Sequence, residues 1–200
     1  MRIITGKAKG IKLLTLEGDA TRPTSERAKE ALFSMIQFDI EGRRVLDLFA
    51  GSGQLGLEAI SRGAEHCTFV DASAAAIGIV KKNVEKTRFT ENCKTLISDY
   101  RNFLRKSDGR EGYDIIFLDP PYASDALVDA LLRLYRTDLM HRGCLLVCER
   151  ENADKDVLEK DERLAEMYTV VRSSGYGRVH IELLTPADAY FNKGEQTDGE

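Results

Sequence analysis

VLDLFAGSGQLGLE, residues 45–58, runs from an apolar stretch through a glycine turn into a helix-like stretch without a break. Val45, Leu46, Leu48 and Phe49 surround Asp47 and predict a buried strand. Gly51-Ser52-Gly53-Gln54-Leu55-Gly56 interrupts it, and Leu55, Leu57, Ala59 and Ile60 resume with helical spacing. Strand, tight turn and helix in that order make a nucleotide-sized pocket. Glycines let a ligand approach bare backbone, and a helix start offers unpaired N–H groups. Gly51, Gly53 and Gly56 also match the GxGxxG spacing of dinucleotide sites, with Asp71 about 20 residues on. The same letters suit a plain βα turn that holds no nucleotide, so the rest of the chain has to decide.

Working outward, strand and helix patterns alternate. Strands are expected at 44–49, 66–71, 94–98, 113–118 and 143–149, and helices near 54–63, 73–88, 99–106, 124–137 and 155–163. Two last runs, 165–173 and 178–184, flank Gly175-Tyr176-Gly177 and predict an antiparallel hairpin. The expected fold is therefore α/β, with a mostly parallel seven-stranded sheet ending in an antiparallel C-terminal hairpin. Ahead of it, Arg2–Thr5 and Ile11–Leu16 read as two short strands joined across Gly6 to Gly10. Thr24 or Ser25 can cap a helix whose Ala28, Ala31, Leu32, Met35 and Ile36 share one face, ending near Asp39. Three parts follow: a β-hairpin and helix extension over 1–40, a main domain over 41–186, and an acidic tail over 187–200 expected to be mobile.

Composition narrows the class. The 200 residues are 42% hydrophobic and 31% charged, as in ordinary globular proteins. No apolar run nears the ~18 residues of a membrane span, and MRIITGKAKG has no apolar leader core, so a cytoplasmic protein is expected. Cys67, Cys93, Cys144 and Cys148 lack metal or redox spacing and are expected as buried reduced thiols. His66, His141 and His180 form no ligand pattern, and no metal is expected. Charge is uneven. Residues 1–45 hold nine basic and six acidic residues, whereas the remainder holds 20 basic and 27 acidic. A basic leading segment on an acidic whole suits a polyanion held at one end, although lysines also guard sheet edges.

Ligands of open α/β sheets lie outside the carboxyl ends of the strands. Asp47, Asp71, Asp99 and Asp119 each fall at such an end. A carboxylate ahead of the glycine turn would repel the pyrophosphate of a nicotinamide cofactor and welcome a cation. S-adenosylmethionine carries a sulfonium and an ammonium and no phosphate. Asp71 would take the ribose hydroxyls and Asp99 the adenine amino group.

Asp119-Pro120-Pro121-Tyr122 is the most specific signal. Two prolines fix φ and remove two backbone donors, leaving carbonyls facing outward. An amine on a base has two N–H groups, and Asp119 with the Pro120 carbonyl offers matching acceptors. Tyr122 offers a flat face for the base.

The glycine loop together with Asp119–Tyr122 resembles class I S-adenosylmethionine-dependent amino-group methyltransferases of nucleic acid, a Rossmann-like fold. Arg2–Gly6, Gly10–Leu13, Arg22–Phe33, Ser61–Ala64 and Tyr176-Gly177 narrow the resemblance to the bacterial 16S rRNA guanine(966)-N2 methyltransferase family, over roughly residues 2–185. Gln54, where a small residue is usual, and the acidic tail depart from that pattern. The resemblance implies methyl transfer from S-adenosylmethionine to a guanine N2 in 16S rRNA, within the small ribosomal subunit or an assembly intermediate; nothing in the sequence demands more than a monomer. It implies a donor site of Asp47, Phe49, Gly51, Gly53, Gly56, Asp71, Ala72, Asp99 and Tyr100, and a catalytic group of Asp119, Pro120 and Tyr122. It also implies RNA contacts at Lys7, Lys9, Lys12, Arg22, Thr24, Arg27, Pro121 and Tyr122, with the stretch Arg22–Lys29 on the RNA backbone. Three alternatives stay open: an adenine-N6 or DNA amino-methyltransferase, a nicotinamide-dependent oxidoreductase, and a non-catalytic RNA-binding module.

Overall fold

The computed structural model describes residues 1–16, 26–107, 112–121, 125–151 and 156–192. Helix α1 (Glu26–Met35) leads into β1 (Arg44–Asp47), α2 (Gln54–Ser61), β2 (His66–Asp71), α3 (Ala74–Thr87) and β3 (Cys93–Ile97). Then come α4 (Tyr100–Lys106), β4 (Tyr113–Leu118), α5 (Ala126–Leu134), β5 (Met140–Glu151), α6 (Glu162–Met167), β6 (Tyr168–Tyr176) and β7 (Val179–Pro186). The seven strands form one sheet in the order β3-β2-β1-β4-β5-β7-β6. The first five neighbours pair in parallel, and β7 runs antiparallel to both β5 and β6. From β1 the chain winds to one side through β2 and β3, then crosses to β4 on the other. The strand order reverses at β1, and a crevice opens there beyond the strand ends.

Side chains alternate across the sheet. Val45, Phe117 and Val147 face a core shared with α1, α2 and α3, while Leu46, Ile116 and Leu146 face α4, α5 and α6. Phe33 of α1 meets Phe117 with ring centroids 5.8 Å apart, a tilted pair worth about 0.5–1.5 kcal/mol beyond the area it buries. Ile3, Ala8 and Leu13 join the same core. The described residues of the leading segment and α1 thus pack on one face of the sheet.

Four expectations differ from what forms. The leading hairpin turns as expected, but its pairing is a single bridge between Arg2 and Lys12. Its backbone is satisfied elsewhere: Ile4 and Thr5 N–H donate to Glu58, and Lys7 and Ala8 N–H to the Ser61 carbonyl and hydroxyl. The region assigned to a helix at 155–163 and a strand from 165 holds a short turn at 157–160 and then α6 to Met167. Asp161 caps that helix by accepting the Arg163 N–H, and Leu164 is fully buried beneath it. β5 runs beyond both ends of the expected 143–149, with a register shift against β4. The tail expected to be mobile from 187 is anchored at its start. The Tyr190 hydroxyl donates to the Thr137 carbonyl at 2.6 Å and accepts the Met140 N–H at 3.1 Å. The expected caps Thr24 and Ser25 and the tail from 193 lie outside the described residues. Cys67, Cys144 and Cys148 are buried and Cys93 half-buried, all free thiols.

Candidate active site

A cleft of about 940 Å³ opens beyond β1, β2 and β4, between the starts of α2, α3, α4 and α5. Its described lining holds six carboxylates (Asp47, Asp71, Asp99, Asp119, Asp125 and Asp129) against one basic side chain, Arg101. The four acids at successive strand ends do meet in one cavity.

They are not equivalent. Asp47 is 2% exposed, and its Oδ2 accepts the Gly56 N–H at 3.1 Å. Burial pushes its carboxyl up to about 7, against the pull of that N–H and with a small push from Asp71. Asp71 spans the turn instead: Oδ2 accepts the Gly51 N–H at 2.9 Å and Oδ1 the Ser73 N–H at 2.8 Å. Asp99 caps α4 through the Arg101 N–H at 2.9 Å while facing the cleft.

The three glycines divide their work. Gly51 and Gly53 turn the chain with φ of 52° and 79°, which side chains rarely adopt. Gly51 faces the cleft, whereas Gly53 and Gly56 lie behind its wall. A Cβ on Gly56 would overlap Phe69 and Cys67 of β2. Gly56 therefore serves the packing of α2 on the sheet and gives its N–H to Asp47; neither Gly53 nor Gly56 reaches the cavity expected of it.

Phe49, Ala72 and Tyr100 line the cleft, with Phe49 and Tyr100 ring centroids 5.1 Å apart. The Tyr100 hydroxyl donates to Asp129 at 2.8 Å, and Arg101 and Arg133 also donate to Asp129. Burial opposes ionisation of Asp129, but these three donors outweigh it and hold the carboxyl well below its usual range. Burial, then Asp129, pushes the Tyr100 phenol up to about 12. After β4, Asp119 is half-buried, Pro120 buried and Pro121 exposed, with Asp119 and Pro121 in the lining. Tyr122, Arg22 and Thr24 lie outside the described residues.

Lys7, Lys9, Lys12 and Arg27 are exposed on the leading segment and α1. Lys29, expected among the RNA-facing residues, is not. It is 2% exposed, donates to the Arg2 carbonyl at 2.7 Å and stands 3.5 Å from Glu58. Burial lowers its pKa against the pull of Glu58. Glu58, itself fully buried, also accepts from Arg62 at 2.9 Å.

Met1, Thr15 and Leu16 line the cleft, and no sequence signal pointed to them. Asn83 could have been found: it is a polar residue on the buried stripe Ala76, Val80, Asn83 and Thr87 of α3. Beyond β5, Asp156, His180 and Glu182 cluster closely enough to suggest metal ligands. Glu182 already receives Arg150 at 2.8 and 3.0 Å and the Val157 N–H at 3.0 Å, so the group works as a brace.

Comparison with known proteins agrees with this layout. The chain is 39% identical over 184 residues to YlbH of Bacillus subtilis (strain 168), covering 92% of this chain and 97% of that one. It is 31% identical to the Ribosomal RNA small subunit methyltransferase D of Haemophilus influenzae, covering 92% of each. The solved structure of the Escherichia coli protein yhhF superposes with a TM-score of 0.78 at 29% identity, over 93% of this chain and 97% of that one. A family model matches residues 1–185, and the chain belongs to the family described as Conserved hypothetical protein 95.

Proposed function

We propose that this chain transfers a methyl group from S-adenosylmethionine to the exocyclic N2 of a guanine in 16S rRNA. It is an rRNA methyltransferase that uses S-adenosylmethionine: proteins named Ribosomal RNA small subunit methyltransferase D align along nearly its whole length. The observation that carries the donor is the cleft lining, six carboxylates against one arginine. Such a wall attracts a sulfonium and an ammonium and repels a pyrophosphate, which disfavours a nicotinamide cofactor.

When bound, S-adenosylmethionine supplies an electrophilic methyl group on a positively charged sulfur. The chain supplies the rest. Asp47 faces that charge as a carboxylate. Asp71, although it accepts two backbone N–H groups, keeps lone pairs for the ribose hydroxyls. Asp99 serves the adenine amino group beside the Phe49–Tyr100 wall. On the acceptor side, Asp119 and the Pro120 carbonyl take the two N–H groups of the guanine amine. That turns its lone pair out of the ring plane and toward the donor. Positioning of this kind supplies about 7–11 kcal/mol of a barrier. The proton leaves to Asp119 or to water. Tyr122 stacks on the base, which leaves its helix or already lies in an exposed loop. Lys7, Lys9, Lys12, Arg22, Thr24, Arg27 and Pro121 hold the RNA around it. One chain supplies every residue named, so a monomer suffices, acting on the small subunit or an assembly intermediate.

Incubation with labelled donor and unmodified small subunits, followed by mapping of the modified base, tests the reading. Label on a guanine N2 supports it; label on an adenine refutes the target. Asp119→Ala should abolish transfer and leave S-adenosylhomocysteine affinity nearly unchanged, and an active variant would refute the catalytic role.

A further inference from the structure

Asn83 stands midway along α3, fully buried on an otherwise mostly apolar stripe. An amide there is costly unless its hydrogen bonds are made. All three are. Its Oδ1 accepts the Leu14 N–H at 2.8 Å, and its Nδ2 donates to the Leu14 carbonyl at 3.0 Å and to the Ser52 carbonyl at 2.9 Å. Asn83 does not itself line the cleft, but both things it holds lead there. Ser52 is part of the glycine turn. Thr15 and Leu16, which follow Leu14, form another stretch of the wall.

Each stretch has other anchors, since Asp71 takes the Gly51 N–H and the buried Leu13 gives its N–H to the Met1 carbonyl, but the Leu14 backbone and the Ser52 carbonyl are held by Asn83. The Ser52–Gly53 peptide sits between Gly51 and Gly53, both with positive φ, so sterics leave its orientation soft. Asn83 pins its carbonyl end, and the Ala50 carbonyl takes the Gly53 N–H at 2.7 Å. Leu14 has both backbone groups satisfied by one side chain, as a neighbouring strand would otherwise do. The anchors at Glu58 and Ser61 hold the leading segment only up to residue 8.

We propose that Asn83 is a positioning residue for the methyl donor. By clamping Leu14 and Ser52 together it sets the spacing between the leading segment and the glycine turn, and with it the width of the donor cleft. An amide is needed because two carbonyls and one N–H converge on one point, and only a group with two donors and an acceptor answers all three.

Calorimetric titration of the full chain with S-adenosylhomocysteine tests this. Asn83→Asp keeps size and the Leu14 acceptor but turns two donated bonds into oxygen facing oxygen. It should weaken binding about tenfold or more. In the methylation assay the KM for S-adenosylmethionine should rise while kcat at saturating donor holds. Leu164→Ala, in the core below the opposite face and outside the cleft lining, serves as a comparator that loses thermal stability. If it weakens binding as much as Asn83→Asp at equal thermal loss, Asn83 is merely structural and the proposal falls. Wild-type affinity in Asn83→Asp overturns it equally. Should that variant not fold, Leu14→Pro removes one of the three bonds while sparing Asn83. It should weaken binding measurably, and an unaltered affinity again refutes the role.

Discussion

Two buried carboxylates on adjoining elements have opposite surroundings. Glu58 on α2 is fully buried and receives the Ile4 and Thr5 N–H groups, Arg62 and Lys29. Asp47 at the end of β1 is 2% exposed and, among the described residues, receives only the Gly56 N–H. The first acid is saturated by the fold and serves to pin the leading segment. In the second, burial pushes the carboxyl up to about 7 with one N–H to oppose it, and under the proposed function a cation arriving in the cleft would complete it. Equal burial hides different roles; the count of partners separates them.

The sharpest way to break this contrast is Glu58→Gln, which leaves Lys29 buried beside a neutral amide. Chemical denaturation should show a loss of about 3–5 kcal/mol. Asp47→Asn should behave in reverse. It should weaken S-adenosylmethionine binding between about tenfold and a hundredfold, read by calorimetry, without loss of stability at pH 8. The sign follows from the raised pKa. Between about pH 4 and about pH 7 the folded chain holds a proton on Asp47 that the unfolded chain has released, so folding stability declines as pH rises through that window. Wild-type donor affinity should climb with pH up to about 7, since a neutral Asp47 attracts no cation, and Asp47→Asn should flatten both trends. The smallest effect belongs to Glu26→Gln. The Arg2–Glu26 pair is as short as the Arg62–Glu58 pair, 2.9 Å, but about half exposed, and its loss should cost less than about 1 kcal/mol.

Most of the sheet could be read directly because period and punctuation agree in it. The run 66–71 is apolar, ends in an acid and meets a helix cap, and β2 has those same bounds. That four acids would line one cleft was legible for the same reason, since strand ends are visible in sequence. What escaped notice depends on partners far along the chain. The leading hairpin lacks a ladder because Glu58, Ser61 and Asn83, some 53 to 69 residues away, take its backbone groups. Lys29 looked like a phosphate contact because lysines usually face water; its burial follows from Glu58. Tyr190 anchors the tail through Thr137, 53 residues earlier. At 165–167, Ala165 and Met167 suit a helix as well as a strand, and the Asp161 cap decides for the helix.

The basic turn also has two unlike shoulders. Gly6 and Gly10 share a φ of 85°, but a Cβ at Gly6 would land on the Ser61 carbonyl, whereas at Gly10 it would meet nothing within 4 Å. A graft meant to lengthen the lysine-bearing tip has room on the Gly10 shoulder alone. Extra residues inserted there project into solvent, while any bulk at the Gly6 shoulder would lever the whole leader off its seat.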